Sequence, residues 1–398
     1  MAANDFGTGY SGHAMTDTAT RHDRRRKVLA VFGTRPEAIK MMPVVQELRA
    51  RPSIAATVVV TGQHRTMLDQ VFAAFAAKPD VDLGLMTHNQ SLAQITAGVL
   101  TEMSRVYAEH TPDLVLVHGD TTTAMAAALA AFYAKIPLGH VEAGLRSFDP
   151  MSPWPEEFNR VAIDGVADHL FAPTEVAAEN LRQAHNRRGK IAITGNTGID
   201  ALLQTSRRID ADRGFGDGIA RRYAYLDPAK RLVLVTGHRR ESFGGGFERI
   251  CDGLAAIAAR GDTEILYPVH LNPNVKSVVG ERLGGTRNIR LIDPVEYGDM
   301  VYLMKRAAVL LTDSGGIQEE GPALGRPVLV MREVTERPEA VAIGAARLVG
   351  TDPLKIRAEV DLLLDNAAEY VKRSKAVFPY GDGTAARQIV DIIESEPV

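Results

Sequence analysis

The chain has one cysteine and one tryptophan in 398 residues. A lone cysteine excludes an intrachain disulfide and a thiolate metal cluster, and it fits a reducing, cytoplasmic setting. Charge of one sign is equally scarce. With 46 basic against 49 acidic residues the formal charge is -3, which leaves no polycation for nucleic acid and no basic tail for a membrane surface. No uninterrupted apolar run reaches the roughly eighteen residues that membrane insertion by a spanning helix needs. The longest are strand-sized or broken by glycine and proline. GxGxxG after a strand, GxxxxGK[ST], HExxH and an Asp-rich loop are all missing. Dinucleotide, P-loop and metal sites lose their usual signatures, and no metal site is expected.

What is present is the profile of a loop-rich enzyme, with 45% hydrophobic and 24% charged residues, Gly 35 and Pro 20. The length favours two domains. Residues 1–26 are polar and end in a basic run, so they are expected to form a disordered extension. Short apolar strands then alternate with helical stretches, the spacing predicting strands at 27–32, 58–60, 114–117 and 139–141 and a helix over 122–133. Thr34 and Glu37 have capping-box spacing. After a turn-rich GNTGID at 195–200 and a charged stretch over 207–230, read as the interdomain region, the alternation begins again at 231–236. The expected architecture is α/β: two Rossmann-like domains facing a central cleft, at 27–205 and 206–375, with a helix in 376–398 packing back on the first domain.

Ligands in such folds bind beyond the carboxyl ends of the strands. Those ends read GTRPE, TGQH, HGDTTT, VEAGLR, TGHRRES, YPVHLNPN and TDSGGIQEE. Gly315 and Gly316 can be an ordinary turn or a close backbone approach to an anion at a helix start. Their place after a buried strand favours the anion. Arg35, His238 and His270 are suited to a diphosphate, whereas Lys40 reads equally well as a surface lysine. The carboxylates are Asp120, Glu142, Glu156 and Glu157. In SPWPEEFNR, Phe158, Val161, Ala162 and Gly165 recur at helical spacing and predict the buried face. That leaves Glu156 and Arg160 as an exposed i,i+4 pair. The rigid SFDPMSPWP run before them is instead expected to fold Trp154 down and hold the helix end against a cleft.

With GTRPEAIKM, TGQH, HGDT, HVEAGLR, SPWPEEFNR, GNTGID, TGHRRE, HLNPNV, DSGGIQEE and TERPEA in place, the chain from Lys27 onward resembles the non-hydrolysing UDP-N-acetylglucosamine 2-epimerases. The resemblance implies a GT-B-like fold, a homodimer, and reversible conversion of UDP-GlcNAc into UDP-ManNAc for cell-surface polysaccharides. Proton loss at C2 with departure of UDP would give 2-acetamidoglucal, and no redox cofactor is implied. Carried over motif by motif, Asp120, Glu142, Glu156, Arg160 and His238 become catalytic. Arg35, Lys40, His238, His270, Ser314, Gly315, Gly316, Glu320 and Arg337 become substrate-binding. A second UDP-GlcNAc is implied as activator near Gln63, His64, Arg239 and Glu241. On this reading Glu156 and Arg160 face the sugar, Phe158 and Val161 anchor their helix, and Glu157 is a bystander.

Two segments depart from the family pattern: LRSFDPMSPWPEE stands for LRTGDLYSPWPEE, and MREVTERPE for MRDTTERPE. Phe148, Pro150 and Val334 therefore leave room for a modified UDP-sugar. A GT-B glycosyltransferase is the alternative from another class, and a UDP-sugar sensor without turnover a third.

Overall fold

The computed structural model describes residues 24–62, 65–75, 77–85, 90–184 and 188–396. Seven parallel strands make the first sheet: β1 (Arg26–Phe32), β2 (Ile54–Val60), β3 (Val81–Asp82), β4 (Leu114–His118), β5 (Leu138–Val141), β6 (His169–Ala172) and β7 (Lys190–Ile193), in the order β3-β2-β1-β4-β5-β6-β7. The second sheet is β8 (Arg231–Thr236), β9 (Thr263–Pro268), β10 (Ile289–Ile292), β11 (Val309–Thr312), β12 (Val328–Val330) and β13 (Ala346–Leu348), ordered β10-β9-β8-β11-β12-β13. Strand order reverses between β1 and β4 in one sheet and between β8 and β11 in the other. Each reversal opens a crevice at the strand ends.

Alternation of side chains along β1 builds two cores. Leu29 and Val31 pack with the Leu92–His110 and Thr122–Tyr133 helices, while Val28, Ala30 and Phe32 pack with the Arg35–Ala50 helix. The Ala385–Ser395 helix joins the second of these cores through Ala386, Ile389, Val390 and Ile393. Beneath the second sheet, Cys251 is buried among Phe247, Ile250 and Leu254, and burial pushes its thiol up to about 11. Among the described residues no helix is long and apolar enough to cross a membrane.

The predicted 122–133 helix is Thr122–Tyr133, and Thr34 with Glu37 closes the capping box. Two readings change. GNTGID is a helix start, with Asn196 capping the Thr197–Ala211 helix. The charged stretch read as the interdomain region is mostly helical, lying in that helix and in Arg213–Arg222. Ile209, Ile219, Tyr223 and Leu226 are buried in the core beneath the second sheet, and Arg208 lies 4.2 Å from the ring centroid of Phe215. Arginine stems cover apolar surface while their heads reach solvent or carbonyls, so charge density disguised an amphipathic pair of helices.

Candidate active site

At the end of β1 the capping box does more than start a helix. Glu37 accepts the N–H groups of Gly33 and Thr34 at 3.1 and 2.7 Å, and the Thr121 hydroxyl at 2.7 Å. The GTRPE and HGDT turns are thereby locked together across the first crevice. Burial still pushes the Glu37 carboxyl upward against these donors. From the same helix Arg35 donates through Nη2 to the Val295 carbonyl at 2.9 Å, reaching the loop after β10.

Lys40, one turn further on, forms an ion pair with Glu142. Glu142 follows β5 with φ at 68°, a left-handed conformation that costs a residue bearing a Cβ. The surroundings overdetermine it. Glu142 Oε2 meets Lys40 Nζ, accepts from Asn196 Nδ2 at 3.2 Å, and lies 3.3 Å from His118 Nε2. Burial alone would raise this carboxyl, but Lys40 and His118 outweigh it and hold it well below the usual range. In turn Lys40 is depressed by burial but raised on balance by Glu142 and Glu319. The lysine that fits the surface equally well in sequence is therefore a half-buried, ion-paired cation.

The Glu156–Val166 helix corrects several expectations. Its buried residues are Glu157, Asn159, Ile163 and Asp164. Trp154, Phe158 and Val161, expected to anchor it, are 60%, 58% and 48% exposed. Arg160 does not pair with Glu156. It binds Asp120, and its Nη1 reaches Glu157 Oε2 at 3.0 Å. Glu157 is no bystander: it also accepts the N–H groups of Ser147 and Phe148 at 3.0 and 3.1 Å, fixing the loop that departs from the family pattern. Asn159 Nδ2 donates to the Asp120 carbonyl at 2.9 Å. The buried face is polar because it packs on the HGDT turn and on His140. His140 sits between Asp164 Oδ1 at 2.6 Å and the Gly119 carbonyl at 2.7 Å. Apolar periodicity chose the wrong side. Glu156 Oε2 is buried and has no hydrogen-bond partner among the described residues.

At the end of β8, the N–H groups of His238 and Arg239 both donate to Asp313 Oδ2, at 2.7 and 2.8 Å. The His238 ring stacks on His270 with centroids 5.2 Å apart. Burial lowers the His238 imidazole, and His270 and Arg239 add to this against the pull of Asp313. A neutral ring at neutral pH follows. After β11, Ser314 precedes the Gly315–Ala323 helix. A Cβ on Gly315 would stand 3.1 Å from the Arg337 guanidinium carbon, so glycine lets Arg337 close on the helix. Its Nε binds Glu319 Oε1 at 2.8 Å. Glu320 is pushed up to about 8 by burial and by neighbouring Glu319, with the Tyr297 hydroxyl 3.4 Å away.

Between the sheets lies a cavity of about 440 Å³ whose lining brings together Arg35, Lys40, His238, His270, Ser314, Gly316 and Glu320. Cations, the stacked imidazoles and the free N–H groups of a helix start suit it to a diphosphate. Asp120, Glu142, Glu156 and Arg160 do not line this cavity. They belong to the first sheet's side, joined to it through the Lys40–Glu142 pair. Gly315 and Arg337 stand behind the helix start. Gln63 and His64 lie outside the described residues. Arg239 has a buried Nε without a hydrogen-bond partner among the described residues, while Glu241 is held by Arg332 at 2.5 Å and borders a separate cavity of about 460 Å³. His118, Glu157, Asn196, Asp313 and Glu319 complete the contacts without having been singled out as site residues. Each stands inside a quoted motif, which was the one available signal.

The family model described as UDP-N-acetylglucosamine 2-epimerase matches residues 46–394. The chain belongs to the non-hydrolysing members of that family. It is 52% identical over 373 residues to the UDP-N-acetylglucosamine 2-epimerase of Escherichia coli K12, covering 94% of this chain and 99% of the relative. Two solved epimerases share the architecture. The enzyme of Neisseria meningitidis bound to UDP-GlcNAc superposes with a TM-score of 0.88 at 44% identity, over 93% of this chain and 100% of the other. That of Methanocaldococcus jannaschii in complex with UDP-GlcNAc and UDP does so at 0.78 and 33%, over 93% and 100%. The epimerase fold is thus the GT-B-like pair of Rossmann-type sheets described above.

Proposed function

We infer that the cleft performs the family reaction. The chain interconverts UDP-GlcNAc and UDP-ManNAc by inversion at C2. The observation that carries this reading is a cationic diphosphate-sized cavity sharing Lys40 with an ionised carboxylate, Glu142.

No carbonyl flanks C2 of the sugar to delocalise a carbanion. Removal of the C2 proton must therefore be coupled to breaking of the C1–O bond. The C–H electron pair becomes the C1=C2 double bond of 2-acetamidoglucal, and UDP leaves with the C1–O pair. Protonation at the opposite face of C2 and return of UDP to C1 complete the inversion. The largest stabilisation is due where charge builds, on the departing diphosphate. Arg35, His238, His270 and the Ser314–Gly316 helix start supply it, with Glu320 on the ribose hydroxyls and Arg337 bracing the helix through Glu319. Asp120, Glu142 and Glu156 provide the carboxylates, and Arg160 and His238 complete the catalytic group. Among them Glu156 is the proton carrier of choice: Glu142 is held ionised and Asp120 is tied by Arg160, whereas a buried Glu156 oxygen is unengaged.

The reading extends to domains at 27–205 and 206–375, a cytoplasmic homodimer, and a second UDP-GlcNAc acting as activator beside Gln63, His64, Arg239 and Glu241. The family resemblance supports these extensions, and the unpartnered Arg239 Nε supports the activator. Incubation with UDP-GlcNAc in deuterated water, with and without excess UDP-GlcNAc, is expected to place deuterium at C2 and yield UDP-ManNAc. Absence of exchange refutes C2 chemistry, and net release of UDP with free sugar would mark a hydrolysing enzyme.

A further inference from the structure

GNTGID has been given no part in the chemistry, yet it lies where the two halves of the molecule meet. Gly195, at φ 88°, approaches the backbone of Gly381, where an added Cβ would stand 3.0 Å from the Gly381 Cα. Lys40 lies across the helix start, in van der Waals reach of Gly198. Between them Asn196 is 2% exposed and uses its whole amide. Oδ1 accepts the Gly198 N–H at 2.8 Å. Nδ2 donates to Glu142 Oε2 at 3.2 Å and to Glu319 Oε2 at 2.7 Å. The flipped amide would set an oxygen against two carboxylates and an NH₂ against an N–H, so the partners fix its orientation.

Each carboxylate also has its own cation, Lys40 on Glu142 and Arg337 on Glu319. The result is a largely buried row, Lys40–Glu142–Asn196–Glu319–Arg337, in which each cation pairs with one carboxylate and the two carboxylates share one neutral amide. It crosses from the end of β5 to the helix whose first turn faces the diphosphate. Glu319 lies one turn along that helix from Gly315 and Gly316. Every donor that reaches Glu142 among the described residues converges on Oε2, which leaves Oε1 for the sugar.

We propose that Asn196 is a positioning residue for the epimerase reaction: through Glu319 it fixes the Glu142 carboxylate relative to the helix that holds the departing diphosphate. Asn196 does not line the cavity. Its role is to keep two groups on different sheets at one separation while the bond between C1 and UDP breaks and re-forms. Displacement of a catalytic group by about 1 Å can cost about a hundredfold in rate. The inference rests on the epimerase reading.

Because Asn196 also caps a helix, the test must separate the two roles. Asn196→Ser keeps a capping hydroxyl but lacks the reach to both carboxylates. Asn196→Asp keeps the capping oxygen and the volume but turns a donor into a third acid. Both are expected to lower kcat about 10- to 100-fold with KM for UDP-GlcNAc within about threefold. The pH optimum of Asn196→Asp should move to the acid side, because protonating one of the three acids restores a donor between them. The proposal is overturned if both variants, counted per UDP-binding site, keep wild-type kcat and pH profile and lose only melting temperature. Wild-type protein that fails to exchange C2 hydrogen would instead refute the epimerase reading, whatever the variants do.

Discussion

At the scale of single residues, environment divides three carboxylates of one chemical class. Glu142 is kept anionic by Lys40 and His118 despite its burial, Asp120 is bound by Arg160, and Glu156 retains a buried oxygen with no hydrogen-bond partner among the described residues. Glu156→Gln keeps shape and burial but removes the proton-carrying function proposed for it. It should reduce turnover by about 10²-fold or more while the Kd for UDP stays within about threefold. Steady-state kinetics beside calorimetric UDP titration checks this. Near-normal turnover would return the task to Asp120 or Glu142. The residue types at the strand ends were legible from the sequence because strand-end loops in this fold bear the ligand. Which glutamate of SPWPEE is structural was not. Apolar spacing locates a buried face only where burial is apolar, and here Glu157 and Asn159 are buried on a polar turn.

At the scale of elements, the C-terminal helix is held by a residue outside it. Asp200, the last letter of GNTGID, accepts the N–H groups of Ala385 and Ala386 at 3.3 and 2.9 Å. It thus supplies the first turn that Thr384 leaves without a side-chain cap. Burial pushes Asp200 from 3.8 up to about 6 despite these donors. The folded state therefore binds this proton more tightly than the unfolded chain, so the group's contribution to stability falls as pH rises from about 4 to 6. Asp200→Asn keeps an acceptor without the ionisation. Relative to wild type it should gain up to about 3 kcal/mol across that window and nothing further above about pH 7. Denaturant melts of both proteins at several pH values measure the difference, and a pH-independent difference would contradict it. The element pattern was largely readable from the sequence, down to the 122–133 helix. The GNTG segment was not, since glycine and asparagine signal a turn equally whether the chain leaves or starts a helix.

At the scale of the whole molecule, the cores of the two sheets share Ile39 and Phe75 at their border and are tied further by short-range polar links. These include Arg35 to the Val295 carbonyl, Arg208 to the Ala74 carbonyl, Asn196 to both Glu142 and Glu319, and the Asn196 N–H to the Tyr380 carbonyl where the chain crosses at Gly195 and Gly381. Losing them would leave the buried carboxylates Glu142 and Glu319 short of a donor, which is costly. We expect one cooperative calorimetric transition rather than two. UDP at about a hundred times its Kd should shift the entire transition by an amount equivalent to about 2.7 kcal/mol. Two resolved transitions, of which UDP moves one, would show that the halves are energetically independent.

The buried Cys251 has a use that none of the chemistry involves. Its thiol is inert both by burial and by weak acidity, so maleimide or nitroxide reagents will leave the native chain almost unmarked. Cysteines introduced at exposed Val176 and Leu354, one on each half, can therefore carry a spin-label pair in an otherwise unmodified background. The breathing of the cleft during turnover then becomes a directly recorded distance distribution.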